Sequence, residues 1–227
     1  MRFAFITARK GRGKNMLQVV RKPVVGYAIE AAIESCVHKV YVCTDCPDIK
    51  GHVDRTDASI LYRPPELSTD KSPHRDIIRH CAEKLKPHDV MVVLLGNTVM
   101  VTPTDIDRCV RMVESGEYDS AMTAWRAQDD HPMRAMAVSK CGFVKSFTGK
   151  DAGTNRQGYE PVYFYDQGVW AMRAHCAVDQ AGPPPWVWLG KKCGIVERPW
   201  VTGRDIHDDI DISASEWYLN NSTVFKS

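Results

Sequence analysis

The stretch Ala8-Arg9-Lys10-Gly11-Arg12-Gly13-Lys14-Asn15 packs four cationic side chains and two glycines into eight residues. Glycines let backbone N–H groups approach phosphate oxygens closely, and the cations offset phosphate charge. The stretch follows directly on the apolar start Arg2–Thr7, which reads as a first strand. Ligands of open α/β sheets sit beyond the carboxyl ends of strands, so this position favours a phosphate site over a solvated basic turn. The loop lacks the G-K-[ST] ending of a Walker loop. It also lacks the G-x-G-x-x-G fingerprint and downstream acid of a dinucleotide-binding dehydrogenase.

A second group lies near the other end, at Asp209-Ile210-Asp211, preceded by His207 and Asp208. In an extended segment Asp209 and Asp211 would point to one side. Two hard oxygen ligands suit Mg²⁺, which favours carboxylates together with phosphate oxygens and water. The same residues would equally serve as an acidic cap on a final helix. Eight cysteines are scattered through the chain, and Cys43-Thr44-Asp45-Cys46 is a lone C-x-x-C without the second pair that a zinc ribbon needs. They read as reduced, small hydrophobes.

The elements that must position these groups alternate. Strands are expected at 2–7, 39–44, 59–62, 90–95 and 119–125, and helices at 23–35, 73–85 and, capped by Thr102, up to Glu114. This order predicts a doubly wound, mostly parallel α/β sheet of the Rossmann-like nucleotidyltransferase kind. After Trp125 short strand-like pieces (135–139, 144–147, 162–165, 169–173) predict a small β-rich lobe, with an insertion at about 131–165 in an otherwise single domain spanning 1–227. A final helix is expected at about 214–220. The chain has 227 residues, 44% hydrophobic and 26% charged, which suits one large globular domain. The formal net charge of +2 is too small for a general nucleic-acid binder. No apolar run approaches the roughly 20 residues of a membrane span, and the expected location is cytoplasmic.

The motifs taken together resemble the acylneuraminate cytidylyltransferase (CMP-sialic acid synthetase) family. The A-R-x-G…K-N loop after strand one is followed in order by Lys22–Ala32, Val42-Cys43-Thr44-Asp45 and Arg63-Pro64-Pro65-Glu66-Leu67-Ser68-Thr69-Asp70. The last is close to R-P-x-E-L-x-x-D and is the most specific match. Val93-Leu94-Leu95, His131-Pro132-Met133-Arg134, Arg156-Gln157 and Asp209-Ile210-Asp211 continue the series. The resemblance implies CTP over the first loop, contacted by Ala8, Arg9, Gly11, Arg12, Gly13, Lys14 and Asn15, with Arg63 and the backbone around Ser72 reading cytosine. Arg9, Lys14, Asp209 and Asp211 would be catalytic, the two aspartates holding Mg²⁺. An acidic acceptor would meet Gly96, Asn97, Thr98, Arg134, Arg156, Gln157, Tyr165 and Gln167. A homodimer is also implied, the lobe reaching the neighbouring subunit.

Three departures stand out. The first loop is short, with Gly11-Arg12 for the family's S-K. The Q-P-T-S-P turn is Gly96-Asn97-Thr98-Val99-Met100, and R-P-N-G is Tyr165-Asp166-Gln167-Gly168. The last two fall on the acceptor side. The expected reaction is therefore CMP transfer from CTP to an acidic acceptor, first a nonulosonic (sialic-acid-like) sugar. The alternatives are the same transfer to a phosphonate or other small acid, or a non-catalytic nucleotide-binding relative. The KDO enzymes carry a Q-G-D turn whose aspartate is missing at Gly96-Asn97, so that acceptor ranks low.

Overall fold

Val90 to Leu94 carry no polar side chain, and none of the five is more than 2% exposed. Such a run belongs to a strand covered on both faces. In the computed structural model, which describes residues 1–150, 153 and 155–221 with the side chain of Arg156 excepted, it is the spine of the central sheet.

In chain order the elements are β1 (Arg2–Thr7), the two-residue strands β2 (Gln18–Val19) and β3 (Lys22–Pro23), α1 (Val24–Ile33), β4 (Lys39–Thr44), α2 (Pro47–Val53), β5 (Ser59–Tyr62), α3 (His74–Ala82), β6 (Val90–Leu95) and α4 (Pro103–Glu114). There follow β7 (Ser120–Arg126), β8 (Met136–Val138), β9 (Val144–Ser146), β10 (Tyr163–Arg173), α5 (Ala174–Asp179), β11 (Cys193–Glu197) and α6 (Asp209–Asn221). The seven-stranded sheet has the order β11-β7-β10-β6-β1-β4-β5. All pairings are parallel except those of β10, which runs antiparallel to both β6 and β7. The expected mostly parallel α/β sheet is borne out. One face is packed by apolar residues of α1, α2 and α4, the other by α3, α5 and the indoles of Trp170 and Trp188. Each fully buried Val, Leu or Ile contributes on the order of 1.5–3 kcal/mol.

Local signals explain several boundaries. Thr102 caps α4 as expected, in a reciprocal box in which its side chain accepts from the Asp105 N–H and the Asp105 carboxylate accepts from the Thr102 N–H. All eight cysteines are free, and Cys43 and Cys46 are both buried. No helix among the described residues is long and apolar enough to cross a membrane.

Two expectations are corrected. The pieces 162–165 and 169–173 are one strand, β10, inside the main sheet. Its register shifts between Tyr165 and Trp170, and that bulge carries the polar residues that break the apolar pattern. The remaining lobe is the hairpin β8–β9, on and beside which Met136, Val138, Phe143, Val144 and Phe147 are each more than 60% exposed. The final helix begins at Asp209, five residues before the expected start, and so absorbs Asp209-Ile210-Asp211.

The bulge turns Asp166 inward, where it is buried with Arg198, the residue that follows β11. Arg198 Nε lies 3.2 Å from Asp166 Oδ2, and Nη1 lies 3.5 Å from Asp105 Oδ2 at the start of α4. Arg198 Nη2 also donates to the carbonyls of Met100 and Thr202, at 3.1 and 2.7 Å. A Cβ at Gly168 would come within 2.4 Å of Arg198 Nη1, so the bulge requires glycine there. This buried ion group ties β10, β11 and α4 together just ahead of the segment that enters α6.

Candidate active site

The chain runs from β1 outward to β4 and β5, then returns to β6 on the other side of β1. The strand order therefore reverses at β1/β6, the position where open α/β sheets bind ligands. A cleft of about 520 Å³ lies there, lined by Thr7 and Leu95 at the ends of β1 and β6.

Along one wall runs the cationic loop. Gly11 and Gly13 have φ of 42° and 76°, left-handed values that glycine adopts without steric cost. Asn15 donates to the Arg9 carbonyl at 2.9 Å, and the Lys10 N–H donates to Asp45 Oδ1 at 2.8 Å, which pins the loop to the end of β4. Arg9 pairs with Asp70. Of the expected nucleotide residues, Arg9, Gly11, Arg12, Lys14, Asn15, Arg63 and Ser72 all line this cleft. Ala8 is buried behind it, its N–H donating to the Cys43 carbonyl.

Arg63 is 4% exposed and donates through Nε and Nη2 to the Leu67 carbonyl, at 2.9 and 2.7 Å. It is thus no surface ion pair: it folds the 63–72 loop onto the cleft. Burial lowers its pKa. Ser72 Oγ donates to the Glu66 carbonyl at 2.8 Å and closes the same loop.

The acceptor set is brought together only in part. Asn97 lines the cleft. Gly96 faces the other way: a Cβ there would come within 2.6 Å of the Ala8 Cβ, so its lack of a side chain serves the close approach of two loops. Thr98 is buried and donates to the Leu95 carbonyl. Gln167 has φ 55°, a left-handed turn position inside the β10 bulge, and Tyr165 packs edge-on to Trp186 at 4.6 Å. Arg134 pairs with Asp129 at 3.0 Å on the surface. Gln157 lines a separate cavity of about 220 Å³ beside His131 and Tyr159. The side chain of Arg156 lies outside the described residues.

Asp209 and Asp211 do not form an extended pair. Both stand in the first turn of α6, where successive residues diverge. Asp211 Oδ1 accepts from Arg204 Nη2 at 2.7 Å, and Oδ2 accepts from the N–H groups of His207 and Asp208 at 2.8 and 3.1 Å. Burial pushes the Asp211 pKa up, but these donors outweigh it and hold the carboxyl below its usual range. Asp208 accepts from the N–H groups of Ile210 and Asp211. The helix-cap reading therefore holds for this stretch.

From this end the cleft is lined by His207, with Asp205 buried beside it. Asp205 pairs with Thr98 in a β-bridge, and Ile206 N–H donates to the Asn97 carbonyl at 2.8 Å. Asp205 Oδ2 accepts from Asn97 Nδ2 at 2.8 Å and lies 2.9 Å from His207 Nε2. His207 lines the cleft, and its carbonyl accepts from Lys14 Nζ at 2.9 Å. Sequence reasoning missed this pair. The available signal was Asp208, an N-cap residue type three places before a second aspartate.

His74, also missed, opens α3 on the opposite wall. Its Nε2 is 3.2 Å from Thr7 Oγ1, and its ring sits against Trp170 and Trp188 at 5.4 and 6.1 Å. Burial, with a smaller push from Arg63, lowers its pKa from 6.5 to about 4, so the imidazole is neutral at physiological pH. The sign follows directly. An unfolded chain takes up a proton near 6.5 that folded His74 refuses until about 4, so stability should fall as pH drops through that interval. Urea midpoints at pH 7 and 4.5 should draw closer in His74→Gln than in the parent. Equal pH slopes would remove His74 as their source.

A family model described as cytidylyltransferase matches residues 8–140, more than half of the chain. The chain belongs to the cytidylyltransferase family. Among curated relatives, N-acylneuraminate cytidylyltransferase of Streptococcus agalactiae is 26% identical over 70% of this chain and 40% of its own length. That of Escherichia coli is 32% identical over 55% of this chain and 31% of its own. The resemblance read from the motifs is borne out, although the chain spans well under half the length of these relatives. Among solved structures, a CMP:2-keto-3-deoxy-manno-octonic acid synthetase complexed with CTP superposes with TM-score 0.72 at 15% identity, covering 97% of this chain and 99% of the other. At that identity the likeness speaks for the fold.

Proposed function

We propose that the protein transfers the cytidylyl group of CTP to an acidic acceptor, a nonulosonic (sialic-acid-like) sugar being the first candidate. The observation that carries this is that Arg9, Lys10, Arg12, Lys14 and Asn15 line one cleft at the β1/β6 switch point together with Arg63 and His207. In the reaction an acceptor hydroxyl oxygen bonds to the α-phosphorus, the bond from that phosphorus to the bridging oxygen breaks, and pyrophosphate leaves with the negative charge. Arg9, Arg12 and Lys14 stand where that charge develops, which stabilises the transition state more than the ground state. Arg63 and Ser72 shape the wall against which the base would lie.

For the expected Mg²⁺ we favour Asp205 over Asp211. Asp205 turns a carboxylate toward Asn97 and His207 at the cleft, whereas both oxygens of Asp211 are engaged within the helix cap. Mg²⁺ is commonly held by one or two carboxylates together with substrate phosphates. When bound it would polarise the α-phosphate. The exposed apolar hairpin β8–β9 supports a homodimer in which this arm is covered by a second copy.

The test is pyrophosphate release with CTP and Mg²⁺ across sialic, legionaminic, pseudaminic and KDO sugars and small phosphonates, with ATP, GTP and UTP as controls. Release with CTP and a sugar supports the reading. Release only with a phosphonate keeps the chemistry and replaces the acceptor, and absence of CTP binding sinks it.

A further inference from the structure

We propose that His74 sets CTP apart from UTP, its Nδ1 accepting a hydrogen bond from the exocyclic amine of cytosine. The inference rests on the cytidylyl-transfer reading above and concerns which side chain of this chain tells the two pyrimidines apart.

The side chains on the wall where the base would lie are engaged in holding their own loop. Arg63 directs Nε and Nη2 to the Leu67 carbonyl. Ser72 Oγ donates to the Glu66 carbonyl and accepts from the Thr69 N–H. A guanidinium, moreover, carries donors and no acceptor. It suits the keto oxygen that cytosine and uracil share, and at the position where they differ it would favour the oxygen of uracil over the amine of cytosine. Selecting cytosine calls for an acceptor on this wall.

His74 supplies one. It opens α3 two residues after Ser72, lines the cleft, and lies near enough to Arg63 for the guanidinium to lower its pKa. Thr7 Oγ1 donates its one proton to the Leu94 carbonyl at 3.4 Å, so toward His74 Nε2, at 3.2 Å, it accepts. The ring proton therefore sits on Nε2, and Nδ1 keeps a bare lone pair. Nδ1 makes no hydrogen bond among the described residues, and it is not one of the polar atoms sealed from solvent. Burial keeps the ring neutral at physiological pH, so the lone pair is not lost to a proton. Packing against Trp170 and Trp188 at 5.4 and 6.1 Å fixes the ring. Asp70, the carboxylate that lines the same cleft, is paired with Arg9. An amine brought to Nδ1 completes a hydrogen bond, whereas a keto oxygen there would face a lone pair and leave both unsatisfied.

The experiment measures binding of CTP, UTP and the triphosphate of 2-pyrimidinone riboside, which lacks the amine, to the whole protein by equilibrium dialysis, alongside pyrophosphate release. The parent should bind UTP and the 2-pyrimidinone nucleotide roughly tenfold or more weakly than CTP, the order expected for one hydrogen bond made or lost. In His74→Phe, which keeps a ring between the two indoles, the three affinities should converge. In ¹⁵N-histidine-labelled parent, CTP but not UTP should shift the Nδ1 resonance of His74, a readout that needs no folded variant. Discrimination that survives in His74→Phe, an unmoved Nδ1, or a 2-pyrimidinone nucleotide bound as tightly as CTP overturns the proposal, while CTP binding and pyrophosphate release keep the cytidylyl-transfer reading alive. Failure of the parent to bind CTP removes both.

Discussion

Arg198→Leu should destabilise the protein by about 3–5 kcal/mol, the range expected when one partner of a buried ion group is deleted. The guanidinium is 2% exposed and stands between Asp166, which is fully buried, and Asp105. Without it Asp166 keeps only neutral donors, from Thr123 and the Gly168 N–H, in a site closed to water. Five donor contacts to Thr202, Met100 and the two aspartates also go at once. Urea denaturation would measure the loss. Asp166→Asn combined with Arg198→Leu should recover part of it, because no uncompensated charge then remains at the bulge. A loss under 1 kcal/mol in the single variant would mean that water reaches Asp166 and that this group does not brace the sheet.

The second large effect concerns catalysis. Lys14→Met should reduce kcat/KM by roughly 10²–10³, the usual consequence of removing one preorganised donor from developing charge. Lys14 lies on the cleft and spans from the cationic loop to the His207 carbonyl, so under the proposed reaction its charge would stand beside the leaving pyrophosphate. Among the described residues its ammonium donates to the His207 carbonyl alone, at an exposed position, and the melting temperature should barely move. Steady-state rates of pyrophosphate release with varied CTP would decide it. A variant with parental kcat and altered KM alone would assign Lys14 to uniform nucleotide binding.

The cationic loop, the buried run of β6 and the cap of α4 were legible because each is a local pattern. Glycines at positive φ, five consecutive apolar residues and a Thr-x-x-Asp box need no tertiary context. The β10 bulge was not legible, since Asp166, Gln167 and Gly168 look like a loop until Arg198, thirty residues later, supplies the inward partner. That Asp209 and Asp211 stand in a helical turn rather than in an extended segment was hidden for the same reason. Whether an aspartate near a helix start faces solvent, a cap or a cleft depends on the turn at which the helix begins. Asp208 sets that start, and the residue that lines the cleft is His207, just ahead of it. The acceptor side was the least legible. Gly96 and Gln167 depart from the family pattern at places governed by backbone approach and backbone conformation, so their identities say more about packing than about what is bound.

The hydrogen bond from Lys14 to the His207 carbonyl spans 193 positions of the chain. A ribosome would therefore release the phosphate loop long before the segment that completes it. A nascent chain lacking residues beyond β11 would lack Arg198, which braces the β10 bulge, as well as the His207 carbonyl that Lys14 meets. The brace of the sheet and the closure of the cleft therefore arrive together, so premature termination near that point should yield an unstable chain rather than a folded one with an open cleft.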